Sequence, residues 1–490
     1  MTPRHFLTIL TSLGILSACA VGPDYKRPET AIPATYRGET AVEEARSIAD
    51  LGWWELYKDP KLSELIQTAL AQNLDLQLAV ARIDEARARA RVAEADFFPT
   101  IGGTLSTSAR AAGVSAVPGP GGTTQFLRSG VGSTYTGGAQ LSWEIDFFGR
   151  VRRSSQAARA DLLASEEGRR AAVASLVAQV ASAYCQLRIL DDQRAITRDT
   201  VKSEEASLAL VRAQMKGGIA SGTEEQQALG QLASVRAQLP IIERQIAQAE
   251  NQLSVLLGQS PGPIVRSSGD EEGLVPPEIP SGLPSELLER RPDILQAEQQ
   301  LVAATARIGV AKAQAFPFPR FFLTAFAGAL SGSLSELLKG NGASLNSWGP
   351  GVTWPLFDLG SQGQIKASEA QARQAALTYR KTILTALQEV ADSLVTVQTV
   401  RSQIGDEEIR AKAGKEYVRL TKLRYAGGVA SYLEVLDSER QLYSAQMDYT
   451  SARLTQLQAA VQLYRALGGG WADAPVQNSG SGERGVGSRE

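Results

Sequence analysis

The 490-residue chain balances 50 Lys and Arg against 52 Asp and Glu, so its charge gives no bias towards nucleic acid or acidic ligands. Its one histidine is His5, and its two cysteines are Cys19 and Cys185. A chain with no histidine after position 5 has no His-based triad, no His acid–base pair and few ways to hold zinc, so no enzyme activity is expected.

Arg4 and His5 open a short basic region, and residues 6–16 form an apolar run too short to span a bilayer. Leu16-Ser17-Ala18-Cys19 follows, with small residues before the cysteine, as in a secretory signal. The order resembles the lipobox of bacterial lipoproteins. That resemblance implies a signal peptide over 1–18, lipid on Cys19 as the only bound group, and a lipid-anchored segment over 19–57. Ala20 in place of Asp after the cysteine implies the outer membrane. If Cys19 is acylated, Cys185 has no disulfide partner, and packing carries stability. Beyond the signal no run approaches the ~18 apolar residues of a membrane helix, so a membrane crossing would have to be a β-barrel.

Four stretches read as helical: about 58–96, 153–257 with a break near 217, 284–314, and 362–467 with a break near 427. They are rich in Ala, Leu, Gln, Glu and Arg. Apolar positions recur at three and four spacing, as in Val173, Leu176, Val177 and Val180. From Arg153 to Lys216 a helix would run roughly 95 Å, longer than an ordinary domain is wide. The seams are largely alanine, so each helix must pack against several neighbours. Pro240 should kink its helix.

Between the helices lie two β-like regions, about 100–148 and 320–357, each with two candidate strands around a Gly/Ser-rich loop. Leu141-Ser142-Trp143-Glu144-Ile145-Asp146-Phe147 alternates apolar and polar residues. Eleven of the twelve phenylalanines lie in or beside these regions, Phe6 being the exception. Aromatic girdles of a membrane barrel would explain that, and two soluble hairpins capping helical bundles are the alternative. Residues 259–283 read as a Pro/Gly-rich linker and 469–490 as a disordered tail.

The chain repeats itself, 58–258 and 284–468. Gly217-Gly218-Ile219-Ala220-Ser221 with Glu224 matches Gly427-Gly428-Val429-Ala430-Ser431 with Glu434 at a shift of 210 residues. Paired glycines can end a helix at positive φ, and Ser221 and Ser431 can cap the next one in a capping box with Glu224 and Glu434. Each half thus holds a helical hairpin with a tip at 217–221 or 427–431, carrying one exposed apolar residue, Ile219 or Val429. Two strands per half make four, too few to close a membrane barrel of about eight or more, so the chain must oligomerise; a trimer would supply twelve.

The sequence resembles the outer membrane factor family of TolC and OprM type, in its NodT-like lipoprotein branch. The resemblance rests on Cys19-Ala20-Val21-Gly22-Pro23-Asp24-Tyr25, Trp53-Trp54, Trp143 to Arg150, Leu287 to Ile294 with Ala297-Glu298, Ile308-Gly309 and Phe316-Pro317, and Tyr432 to Asp437. It departs where the family often has a Gly-Gly-Arg-like run and this chain has Leu359-Gly360-Ser361-Gln362.

The resemblance implies a mainly α fold with a small β part. Long antiparallel helical hairpins would form a periplasmic tube, and four strands per chain would join a 12-stranded trimeric outer-membrane β-barrel with an internal twofold repeat. It implies a homotrimer in outer-membrane lipid, a periplasmic membrane-fusion adaptor docking on the hairpin tips, and an inner-membrane pump of the resistance-nodulation-division class. It also implies a periplasmic gate at Leu433, Asp437 and Arg440, the last two being placed to form an ion pair. The alternatives are a protein-exporting duct of a type I secretion system and a lipid-anchored coiled-coil scaffold without a pore.

Overall fold

The computed structural model describes residues 20–30, 33, 59–110, 114–118, 124–128, 132–266 and 287–470. Cys19, Trp53, Trp54, most of the linker and the tail beyond 470 lie outside the described residues.

The element order repeats the sequence halves. The first half has α1 (Pro60–Gln72), α2 (Leu74–Ala95), β1 (Thr100–Arg110), β2 (Val114–Pro118), β3 (Thr124–Arg128), β4 (Gly132–Ile145), α3 (Arg150–Lys216), α4 (Gly222–Arg236) and α5 (Gln238–Leu256). The second has α6 (Leu287–Arg290), α7 (Pro292–Ala313), β5 (Arg320–Ser331), α8 (Leu334–Leu338), β6 (Ala343–Thr353), α9 (Leu359–Ala426) and α10 (Tyr432–Ala466).

Local chemistry sets the helix ends. The Asp59 carboxylate accepts from the N–H groups of Lys61 at 2.8 Å and Leu62 at 3.3 Å, and Pro60 fills the first helical position. The stretch read as one helix from 58 to 96 is broken at Asn73. Its side chain accepts from the Leu76 N–H at 3.1 Å and donates to the Leu256 carbonyl at 2.9 Å. Pro240 offers no N–H to Arg236 four residues earlier, and the helix divides at Ala237, which itself stays in helical conformation.

The chain divides into two compact units that each draw on both sequence halves: 1–28, 83–164 and 297–379, and 29–82, 165–296 and 380–490. The first unit holds an antiparallel sheet in the order β1-β4-β5-β6. β1 pairs with β4 from Thr100↔Ser142 to Arg110↔Gly132, β4 with β5 from Ile145↔Phe321 to Tyr135↔Ser331, and β5 with β6 from Arg320↔Thr353 to Leu330↔Ala343. The central β4–β5 ladder therefore joins the two repeats. The loop between β1 and β4 is more than a loop, since β2 and β3 pair there as a hairpin of their own.

Aromatic side chains gather at the end of the sheet where strands meet helices. Phe147 and Phe321 pack edge-on at 4.8 Å, Phe148 lies 5.0 Å from Phe318, and Phe316 stacks on Trp354 at 6.4 Å. Beside them Glu144 joins both repeats, accepting from Arg150 at 2.7 Å and from Arg320 at 2.6 Å. Asp146 accepts from the Arg152 N–H at 2.8 Å at the start of α3. These bonds account for the Trp143–Arg150 motif.

The second unit is helical. Along α3 the three-and-four pattern is buried, with Val177, Val180, Tyr184 and Leu187 each at most 1% exposed. One 18-residue window of α3 does pass as apolar enough to cross a bilayer, contrary to the sequence expectation, but 78% of it is buried inside the protein, so it is a packing seam. Where α7 begins, Arg291 forks onto Asp293, reaches Glu389 on α9 at 2.8 Å and donates to the Ala466 carbonyl at the end of α10 at 2.9 Å. That is the structural content of the Arg290-Arg291-Pro292-Asp293 stretch.

Candidate functional site

The two turns end α3 and α9 by the same hydrogen bonds. In the first, Gly218 N–H donates to the Met215 carbonyl and Ile219 N–H to the Gln214 carbonyl, with Gly218 at φ +75°. In the second, Gly428 N–H donates to Tyr425 and Val429 N–H to Arg424, with Gly428 at φ +73°. This is the Schellman motif, which uses one left-handed residue. Only the second glycine of each pair has positive φ. Ile219 and Val429 stand 81% and 69% exposed, Ala220 and Ala430 are half-buried, and Ser221 and Ser431 are exposed.

The caps differ between repeats. Ser221 forms the full capping box: its hydroxyl accepts from the Glu224 N–H, and its own N–H donates to the Glu224 carboxylate at 2.8 Å. Ser431 makes no side-chain cap bond, so the expected second box is absent. A substitution within the repeat accompanies the difference. Where the first half has Gln214 the second has Arg424, and its guanidinium pairs with Glu434 at 3.4 Å.

Beyond the second tip, Leu433, Asp437 and Arg440 fall on one exposed stripe of α10, at helical spacing. Leu433 is 59% exposed. Within the chain Asp437 and Arg440 do not pair. The Asp437 carboxylate accepts from Gln441 Nε2 at 2.7 Å, and Arg440 Nε donates to Gln231 Oε1 on α4 at 2.8 Å. Asp437 has its carboxylate satisfied one turn along its own helix, and Arg440 is drawn towards the neighbouring hairpin.

Sequence reasoning missed what lies behind that stripe. A core of Val211, Ala228, Leu232, Val235, Tyr432 and Val435 joins α3, α4 and α10. Next to it α9 and α10 meet through polar groups: the buried hydroxyls of Thr421 and Ser438 at 2.8 Å, and the partly exposed Lys422 Nζ on buried Glu439 at 2.7 Å. The first hairpin has apolar Val211 and Ala228 where the second has Thr421 and Ser438, at the same shift of 210 residues. That departure from the repeat was the available signal.

The segment after Cys19 is held down. Val21 N–H donates to the Phe148 carbonyl at 3.0 Å, Asp24 pairs with Arg153 at 2.7 Å, and Arg27 forks onto Glu298 at 2.8 and 2.7 Å while Tyr25 donates to the same carboxylate. Gly22 and Gly309 touch backbone to backbone, where a Cβ on Gly22 would lie 2.5 Å from the Gly309 Cα. Cys19, the expected lipidation site, lies outside the described residues, two positions before Val21. Burial pushes the Cys185 thiol up to about 12, so that cysteine is an inert core residue. Among the described residues no group of three or more His, Cys, Asp and Glu side chains is placed to hold a metal.

Comparison with known proteins gives these features a context. The family model described as "Outer membrane efflux protein" matches residues 65–259 and 283–469. The "Toluene efflux pump outer membrane protein TtgC" of Pseudomonas putida is 37% identical over 482 residues, 97% of each chain. The "Probable outer membrane lipoprotein SilC" of Salmonella typhimurium is 33% identical over 476 residues, 95% of this chain and 99% of its own. The solved outer-membrane channel OprN superimposes with a TM-score of 0.82 at 31% identity, over 92% of this chain and all of that one.

Proposed function

The chain belongs to the outer membrane efflux protein family, and on that premise we propose that three copies join edge to edge into one barrel and form a passive exit duct. It is an outer-membrane efflux component with a mainly helical fold and a small antiparallel sheet. The observation that carries the trimer is the sheet's two free edges. β1 and β6, each 11 residues long, have no partner strand beyond β4 and β5 among the described residues. Unpaired backbone in hydrocarbon costs several kcal/mol per group, so both edges need partners. β1 and β6 run in opposite senses, so β6 of one copy paired with β1 of the next continues the antiparallel order. Three copies of four strands give twelve.

The long hairpins α3/α4 and α9/α10 then form the periplasmic tube. A periplasmic membrane-fusion adaptor docks on the tips at Ile219 and Val429, and an inner-membrane pump of the resistance-nodulation-division class loads the duct. The relative named for toluene supports small-molecule cargo, and the relative named a lipoprotein supports acylation of Cys19. Leu433, Asp437 and Arg440 line the resting constriction; their common exposed stripe supports this.

Purified full-length protein should migrate as a heat-resistant trimer with β signal and conduct in planar bilayers. A monomer without conductance would overturn the barrel, and a protein substrate lost from the medium on deletion would favour the type I secretion duct.

A further inference from the structure

Behind the second tip, α3, α4, α9 and α10 enclose a polar cluster. Glu204 on α3 is 1% exposed and Glu439 on α10 is 5% exposed. Gln231 Nε2 on α4 donates to Glu204 Oε1 at 3.3 Å. Glu439 Oε1 receives Lys422 Nζ from α9 at 2.7 Å and Ser207 Oγ from α3 at 3.2 Å, and Lys422 also donates to Ser203 Oγ at 3.0 Å. The second oxygen of each carboxyl group is buried and has no hydrogen-bond donor. One ammonium, that of Lys422, faces both acids: it bonds Glu439 and acts on Glu204 through its charge, and the Glu204 and Glu439 charges act on each other.

We infer that Glu204 and Glu439 form a proton-binding site, one proton lying between their two unsatisfied oxygens, and that this site positions Arg440 through Gln231. Two observations converge on it. The orphaned oxygens need a donor, the charge set needs one more positive unit, and a shared proton supplies both. The groups facing Glu204 are Glu439 and Tyr432 from α10, Lys422 from α9 and the Gln231 amide from α4. Burial first, then the Glu439 charge, pushes the Glu204 carboxyl up to about 7.

The Gln231 amide is fixed at both ends, its NH2 on Glu204 and its carbonyl on Arg440. Loss of the proton leaves two buried carboxylates facing each other across α3 and α10. Their repulsion strains the crossing that holds Arg440 in place. The repeat lacks a second copy of the site: a shift of 210 residues puts Gly414 at the place of Glu204 and Leu229 at that of Glu439. The proton site and the exposed stripe of Arg440 thus lie at one hairpin crossing. The control of Arg440 rests on the constriction reading above; the proton site itself does not.

The test is pH-difference infrared spectroscopy on the full-length protein in detergent, reading the protonated-carboxyl band between pH 5 and 8. The wild type should show a component titrating near neutrality, and Glu204→Gln, which keeps an amide where the acid stood, should lose it. Glu439→Gln gives the same reading should Glu204→Gln fail to assemble, since either variant removes the acid pair. A wild type without the component, or a variant that keeps it, overturns the site. In planar bilayers wild-type conductance should rise from pH 6 to 8 and that of Glu204→Gln should stay at its low-pH value. A flat wild-type profile with a titrating band overturns the control of Arg440. Failure of the constriction reading would show separately, as unchanged conductance when Asp437 and Arg440 are both replaced by alanine.

Discussion

Replacing Arg291 by leucine should loosen two helix ends that are far apart in sequence. The guanidinium is 7% exposed and serves Asp293, Glu389 and the last turn of α10 at once. Breaking a buried ion pair by removing one partner costs about 3–5 kcal/mol. Asp293 and Glu389 are 39% and 31% exposed, so water recovers part of that and about 2 kcal/mol remains. The Ala466 carbonyl loses its donor as well, adding about 1 kcal/mol. A total of about 3 kcal/mol corresponds to roughly 100-fold faster exchange of amides protected by this contact. Hydrogen exchange on the full-length protein should show that increase at the start of α7 and the end of α10, with the tips unchanged. Arg291→Lys should fall between, because a point charge cannot fork onto Asp293. Protection within threefold of wild type at both ends would refute the reasoning.

The same site has a defined pH dependence. Burial raises the Asp293 carboxyl, but the hydrogen bonds and charge of Arg291 outweigh it and hold the group below the usual carboxylate range. A depressed folded value gives stability that is present above the ordinary value near 4 and is lost as pH falls through the folded one. Protection at the start of α7 should therefore be level from pH 7 to 5 and fall only below about 4, and Arg291→Leu should remove that acid transition.

Gly218→Ala forces a side chain into the left-handed region and should cost about 1 kcal/mol, while Gly217→Ala should be near neutral, as tip exchange rates would show. Ile219→Asp or Val429→Asp should abolish efflux with trimer yield intact, read as drug sensitivity in cells that depend on this duct; unchanged sensitivity would place docking elsewhere. Replacing Asp437 and Arg440 together by alanine should raise single-channel conductance, since both side chains project from the exposed stripe of α10. Cys19→Ala should abolish labelling by fatty acid and leave less protein in the outer membrane.

Much of this architecture was legible because it is local or periodic. The turns showed in the sequence because the Schellman motif needs a glycine at one place, and Gly218 and Gly428 supply it. The strands showed through alternation, and the repeat through the 210-residue shift. What stayed hidden depends on partners distant in sequence. Glu434 looked like a capping acid, and only the fold brings Arg424 to it. Arg440 looked like a partner for Asp437, and only the packing of α4 against α10 offers it Gln231. Glu204 and Glu439 carry no local pattern at all. They are 235 residues apart in sequence and were indistinguishable from the surface acids around them.

The repeat divides the labour of the molecule in a way that follows from symmetry. Both tips keep the same turn and the same kind of apolar knob, so in the docking proposed above a partner would meet two near-equivalent surfaces per chain and six in a trimer. The stripe of Leu433, Asp437 and Arg440 has no such copy: the first repeat has Thr223, Gln227 and Gly230 in those places. In the constriction proposed above, a second charged set beside the first would add repulsion in the same space. Polar chemistry has accumulated on α9 and α10, where Thr421, Ser438 and Glu439 stand in place of the apolar Val211, Ala228 and Leu229 of the first hairpin. Apolar packing resists small rearrangements, because separating it exposes area to water continuously. A buried polar crossing has discrete alternatives, since its groups can exchange one partner for another.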